Sequence, residues 1–209
     1  MNPYGYEKYD TRTWTKKPNI RPSAKTTNNA ANVGSSMYAD VWSDLIYQSV
    51  AENDLLSTKY TQTQLTRPFP STKLGVQFAS VSKLMKTKDV RGVDRDVFFI
   101  ERPGWDDHAN VADPLQERFA ELDAGLKNFA EEMKASNLWD SVTVVLTSEF
   151  SRTLKGNAAN GTDHAWGGNY FVAGGSIKGK KILGSYPSDL TTNGPLVFSP
   201  GIVIPTTPW

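Results

Sequence analysis

The strongest local pattern in this chain is an amphipathic helix between two short apolar runs. Asp113, followed by Pro114 and by Gln116 three residues after the aspartate, is typical of a helix start. Apolar residues then recur at spacings of three and four to about Asn137, and apolar runs flank this segment at 97–100 and 142–146. Strand, long helix and strand with short links predict a βαβ unit with parallel strands and a right-handed crossover.

The rest of the chain adds further elements around this unit. Apolar residues at helical spacing predict a helix from Ser36 to about Leu56 and another whose first turn follows Thr72. The charged segment 86–96 predicts a surface loop, and short apolar runs at 170–173 and 202–204 lie among loops rich in glycine and proline. Residues 1–34 contain three prolines and no apolar periodicity, which predicts an irregular arm. Residues 35–209 are then expected to form one α/β domain.

Composition excludes several classes of function. The net charge of +1 does not favour binding to nucleic acid or to an anionic membrane. The chain of 209 residues contains no cysteine, so disulfides, thiolate metal ligands and a cysteine nucleophile are excluded. No apolar run approaches the roughly 20 residues of a membrane helix, and the first 20 residues lack the apolar core of a secretory signal. Nothing in the sequence predicts an oligomeric state.

Both histidines of the chain directly follow an aspartate. Asp107 precedes His108, shortly after the apolar run 97–100, and Asp163 precedes His164 in a glycine-rich loop. Residues at positions i and i+2 of extended backbone point to the same side, so Asp106 and His108 can bind one ion while Asp107 points away. The two aspartate–histidine pairs therefore predict a shared cation.

A third polar segment follows the apolar run 142–146 and contains Glu149 and Arg152. The carboxyl ends of parallel strands lie at one edge of a sheet, so this segment is expected beside the first aspartate–histidine pair. Oxygen and imidazole ligands without thiolates favour a catalytic site for Zn²⁺ or Mn²⁺, in preference to Mg²⁺ or Ca²⁺. The predicted ligands are Asp106, His108, Glu149, Asp163 and His164.

Other interpretations of these residues are open. Asp106 and His108 could form a turn with a surface histidine. Glu149 could pair with Arg152 as a surface salt bridge, which would contribute at most about 1 kcal/mol. Arg152 could instead bind an anionic substrate through two amino groups.

Three blocks of residues occur in a fixed order along the chain. They are 104–108 (Gly-Trp-Asp-Asp-His), 148–153 (Ser-Glu-Phe-Ser-Arg-Thr) and 161–168 (Gly-Thr-Asp-His-Ala-Trp-Gly-Gly). With these blocks the chain resembles, over residues 68–209, a bacterial family of uncharacterised proteins known as DUF1501. Ser151 and Ala165 stand where that family usually has glycine.

The resemblance implies a three-layer α/β/α sandwich with a mainly parallel sheet, as in the alkaline phosphatase-like superfamily. It implies metal-dependent hydrolysis of phosphate or sulfate esters, a small anionic ester as substrate and a catalytic role for Arg152. It places Asp106 and His108 in an Asp-x-His motif, and Asp163 with His164 in a second motif.

Chain length limits what the resemblance implies. By this resemblance, family members are about twice as long as this chain. Their N-terminal half carries an acidic metal ligand and, in related enzymes, the nucleophile. The chain is therefore expected to be a fragment of such a domain. The alternative is a catalytically incomplete remnant that binds a metal or another ligand. The family is often exported through twin-arginine signals, and this sequence contains no such signal.

Overall fold

The computed structural model of the protein describes residues 21–28, 36–191, 193–199 and 201–207. The helices are α1 (Arg21–Thr27), α2 (Met37–Gln62), α3 (Lys73–Lys86), α4 (Lys88–Arg91) and α5 (Ala112–Ala135), with a 3₁₀ turn at Trp139–Ser141. The strands are β1 (Val144–Leu146), β2 (Ser151–Arg152), β3 (His164–Ala165), β4 (Phe171–Ala173), β5 (Val197–Phe198) and β6 (Ile202–Val203). The chain divides into two units, one of Met1–Leu65 with Ser80–Phe98 and one of Thr66–Ala79 with Phe99–Trp209.

The first unit is helical in the part that the structure describes. Ser36 begins α2 as predicted, because its side chain accepts a hydrogen bond from the free amide of Ala39. The short helix α1 packs on α2, and Lys25 pairs with Asp54 at 2.6 Å. Among the described helices, none is long and apolar enough to cross a membrane.

The second unit contains the first turns of α3 and the whole of α5. The rings of Phe78 and Phe129 lie 5.3 Å apart between the two helices, and both side chains are buried. Glu121 joins the same helices, since its carboxylate accepts from the amide of Leu74 at 3.0 Å and from Arg102 at 2.6 Å. These contacts hold α5 in place, and the loop that precedes α5 carries the predicted site.

Within the described residues, the strands form three separate two-stranded antiparallel sheets. β1 pairs with β4, so that Val145 lies opposite Val172. β2 pairs with β3, which sets Arg152 opposite His164. β5 pairs with β6. Each strand has two or three residues, so these sheets serve to fix loops beside one another.

The predicted three-layer α/β/α sandwich with a mainly parallel sheet is wrong. In the described chain, residues 97–100 form no strand, so the βαβ unit with its right-handed crossover is absent as well. Val97 is 93% exposed and Phe99 is 84% exposed, which is incompatible with a strand covered on both faces. The run at 142–146 does form a strand, β1, but its partner β4 is antiparallel. A short apolar run does not specify its partner, which explains the error.

The helix predictions agree better with the structure. α2, α3 and α5 are confirmed as helices, but α2 extends to Gln62 rather than ending near Leu56. α5 begins at Ala112, so Val111 rather than Asp113 is its N-cap. The segment 86–96, predicted to be a loop, contains the short helix α4. In the predicted arm 1–34, residues 21–27 form α1, while residues 1–20 and 29–34 lie outside the described residues.

Candidate metal site

The loop before α5 lies against the loop that precedes β3. Ala109 forms an isolated antiparallel bridge with Asn160, and the amides of Asn110 and Val111 donate to backbone carbonyls of that second loop at 3.0 Å. Asn110 and Asn160 both have positive φ, 47° and 58°, a conformation that asparagine tolerates better than most residues. The two loops are thereby fixed next to each other over only a few residues.

Two glycines make this arrangement possible. Gly104 has a φ of 96°, which is strained for residues with a side chain. Gly161 lies so close to the other loop that a Cβ atom there would be 2.1 Å from the carbonyl carbon of His108. The loops therefore approach more closely than any other residue at position 161 would allow.

Three side chains point their donor atoms at one place. The Asp106 Oδ1 atom lies 2.8 Å from the His164 Nε2 atom and 2.9 Å from the His108 Nε2 atom. The two Nε2 atoms are 3.3 Å apart. We call Asp106, His108 and His164 the donor triad, a group with the composition and spacing of a possible metal-binding site. Their side chains are 53%, 51% and 52% exposed, so the site opens to solvent.

Asp163 lies on the other side of the His108 ring. Its Oδ1 atom is 3.2 Å from His108 Nδ1, the ring nitrogen that faces away from the donor triad. The Nδ2 group of Asn157 donates to the same carboxylate oxygen at 3.1 Å and to the His108 carbonyl at 3.0 Å. Asp163 is thus placed to orient a histidine of the donor triad, and its carboxylate is not one of the three converging groups.

Arg152 connects the two segments that carry the donor triad. Its guanidinium lies 3.0 Å from Asp106 Oδ1 and donates to the carbonyls of Thr162 at 3.1 Å and Trp105 at 3.3 Å. The Phe150 ring contacts both, since its centroid lies 4.1 Å from that of the His164 ring, on which it stacks, and 5.4 Å from the Arg152 guanidinium. The positive charge therefore faces Asp106 from a position that is mostly covered.

The two remaining acidic residues of the motifs lie outside the donor triad. Asp107 turns away from it and forms a two-point ion pair with Arg118, which ties the loop that carries Asp106 and His108 to α5. Glu149, predicted as a ligand, is exposed and is not a member of the group.

Charge around the site favours ionised carboxylates. The hydrogen bond with His164 lowers the pKa of Asp106 below its usual range, and the positive charge of Arg152 acts in the same direction. The amide of Asn157 lowers the pKa of Asp163, with a further contribution from His108. Both carboxyl groups are therefore anionic at neutral pH, the form that binds a cation.

Sequence reasoning missed two residues that hold the site together. Asn157 bridges Asp163 and His108, and its own Oδ1 atom accepts from the amides of Ala159 and Gly161, both at 3.0 Å. Arg118 binds Asp107. A side-chain amide within a glycine-rich loop carries no distinguishing sequence pattern, so only the fold reveals the position of Asn157.

Comparison with known proteins gives one relationship. No curated protein and no solved structure matches the chain. A family profile matches residues 48–193, more than two thirds of the chain, and this range includes the donor triad, Arg152 and Asn157. The chain therefore belongs to the family described as "Protein of unknown function (DUF1501)".

Proposed function

We propose that this protein binds a divalent cation through Asp106, His108 and His164 and that it hydrolyses small anionic phosphate or sulfate esters. The observation that carries the proposal is the convergence of the three donor atoms, each within 3.3 Å of the other two. The ester class rests on the resemblance of the motif blocks, and a relationship to alkaline phosphatase-like enzymes is part of the same proposal.

The spacing of the donor atoms fits one small cation. Atoms bound to zinc at about 2.0–2.1 Å in a tetrahedral arrangement lie about 3.3 Å from one another. The two Nε2 atoms are 3.3 Å apart, and each lies slightly closer than that to Asp106 Oδ1. Two imidazoles and one carboxylate are ligands that Zn²⁺ and Mn²⁺ both accept.

Proton counting also favours a cation here. His108 lies between two carboxylates, with Asp163 at Nδ1 and Asp106 at Nε2. Neutral imidazole has one N–H group, so it can donate to only one of the two. A cation bound to Nε2 relieves the second contact, because both the nitrogen and the Asp106 oxygen then face positive charge.

The chain's own residues would bind and hold the substrate around this position. A divalent cation supplies Lewis-acid polarisation of an ester oxygen and activates water. Asp106 contributes anionic charge that retains the cation, and the half-exposed donor triad leaves the solvent side open for an ester. Arg152 adds a fixed positive charge beside Asp106, which favours an anionic substrate over a neutral one.

A second candidate function is a binding module that holds the cation without catalysis. Its support is the environment of Arg152, whose guanidinium already contacts Asp106 and two backbone carbonyls and is only 22% exposed. An arginine engaged in this way positions loops rather than a substrate. Both functions need the cation, and only the first needs turnover.

Calorimetric titration of chelator-treated protein with Zn²⁺ and with Mn²⁺ tests the shared step. We expect one cation per chain, and we expect His108→Ala and His164→Ala to weaken binding by more than about 100-fold, beyond the 10–100-fold typical of outer-shell partners. Glu149→Gln is the matched control, since this carboxylate lies in the neighbouring motif but outside the donor triad. Wild-type protein that binds neither ion would refute the proposal.

Hydrolysis of p-nitrophenyl phosphate and p-nitrophenyl sulfate then separates the two candidates. The hydrolase predicts turnover that requires added cation and disappears in His164→Ala. Stoichiometric cation binding with no turnover of either ester would favour the binding module.

A further inference from the structure

The residues that support the donor triad form a chain of contacts behind His108. Asp163 lies 3.2 Å from Nδ1 of that ring, and Asn157 lies 3.1 Å from the same Asp163 oxygen. A second contact from the Asn157 Nδ2 group, at 3.0 Å, reaches the His108 backbone carbonyl. Asn157 therefore holds both the backbone of the histidine and the carboxylate that faces its ring.

The Asp163 carboxylate sets the tautomer of the His108 ring. Ionised Asp163 can only accept a hydrogen bond, so a neutral His108 in contact with it carries its proton on Nδ1. The lone pair then lies on Nε2, which is the nitrogen that points at Asp106 and His164. Without the carboxylate, the proton is equally free to occupy Nε2 and to block the cation.

Asn157 is itself fixed by the turn in which it lies. Its Oδ1 atom accepts from the amides of Ala159 and Gly161, and the Asn157 amide donates to the Gly161 carbonyl at 2.9 Å. The side-chain amide thus has its orientation set, with oxygen toward the turn and nitrogen toward Asp163. A residue constrained in this way can transmit the position of the turn to the ring of His108.

We infer that Asp163 and Asn157 are positioning residues for the cation site, which fix His108 as a ligand through its Nε2 atom while neither binds the ion. This inference rests on the proposed function, because it concerns affinity for the same cation. Partners of this kind typically contribute 10–100-fold to metal affinity.

Two shape-conserving substitutions test the inference in the full chain. Asp163→Asn removes the anionic acceptor at Nδ1, and we expect Zn²⁺ affinity to fall 10–100-fold. Asn157→Asp keeps the acceptor for the two turn amides but removes the donor to Asp163, and a fall of about tenfold is expected. Asp123→Asn, on an exposed face of α5, changes the charge as Asp163→Asn does and should leave affinity unchanged.

A double-mutant cycle and proton NMR distinguish a role in positioning His108 from general damage to the fold. If Asn157 acts through Asp163, Asn157→Asp should lower affinity less in the Asp163→Asn background than in the wild type. In the zinc-loaded wild type, the His108 Nδ1–H proton should resonate downfield and exchange slowly, and Asp163→Asn should shift it upfield. The chain has two histidines, so few ring N–H signals have to be assigned.

The outcomes distinguish failure of the proposed cation site from failure of the positioning role of Asp163 and Asn157. Wild-type protein that binds no cation overturns the proposed function, and this inference with it. Wild-type protein that binds zinc while Asp163→Asn and Asn157→Asp bind it equally well overturns the positioning role alone. A loss of affinity in Asp163→Asn with an unchanged Nδ1–H signal also overturns it, because the carboxylate would then act without contacting the ring.

Discussion

Replacing Gly161 by alanine tests how closely the loop before α5 and the loop before β3 must approach. A Cβ atom at this position would lie 2.1 Å from the His108 carbonyl carbon and 2.3 Å from its oxygen. These are backbone atoms that cannot rotate away, as a flexible side chain would. The loops must therefore separate in Gly161→Ala.

The size of the shift follows from the distances. Ordinary contact begins near 3.4 Å, so the backbone of His108 and the added methyl group must move apart by more than 1 Å. Overpacking of this kind costs about 1–3 kcal/mol of unfolding free energy. A separation of about 1 Å also moves the His108 ring away from His164 on the other loop, and we expect cation affinity to fall at least about tenfold, or 1.4 kcal/mol.

Gly156→Ala is the matched control in the same loop. Among the described residues, its Cβ atom would meet only the Gly161 carbonyl oxygen, at 3.5 Å, which is an ordinary contact. Neither glycine has a positive φ, so the two substitutions differ in space rather than in backbone strain. Urea unfolding followed by tryptophan fluorescence gives the stability, and calorimetry gives the zinc affinity. If Gly161→Ala matches Gly156→Ala in both measurements, loop proximity does not position His108.

Two further predictions concern the packing of α5. Burial raises the pKa of Glu121, but the backbone amide of Leu74 and the Arg102 guanidinium together hold it below its usual value. The stabilisation by the ionised carboxylate is therefore present above about pH 4.3 and is lost as pH falls through the lowered pKa. Glu121→Gln should cost about 1–3 kcal/mol at pH 7, and unfolding curves at pH 3 should show this difference shrink; a constant difference would contradict the assignment. Gly125→Ala places a Cβ atom 2.9 Å from the Phe78 ring and should lower stability by about 1–2 kcal/mol, despite the better helix propensity of alanine; a rise in the urea midpoint would contradict it.

Local pattern was sufficient to predict the helices. The α2, α3 and α5 segments each carry an apolar stripe at helical spacing, and such a stripe depends only on neighbours along the chain. Pairing of strands depends on residues far apart in sequence. Nothing in the run 142–146 distinguishes a parallel partner at 97–100 from the antiparallel partner β4 that the structure has.

The sequence was sufficient to predict which types of residue come together at the candidate site. The paired aspartates and histidines indicated that His108 and His164 share a site, and the structure brings them within 3.3 Å. Sequence could not separate the proposed ligand Asp106 from Asp163, which faces a ring nitrogen of His108, because the two are the same residue type beside similar neighbours. Only the fold shows that Asp163 faces Nδ1 of His108.

The donor triad joins parts of the chain that are distant in sequence. Asp106 and His164 are 58 residues apart, and the chain has no cysteine with which to cross-link them. An ion held between them would close that loop in the folded state alone, as a removable cross-link. Folded protein would gain about 2.7 kcal/mol when the free ion is at 100 times its dissociation constant, so the melting temperature would report cation concentration directly.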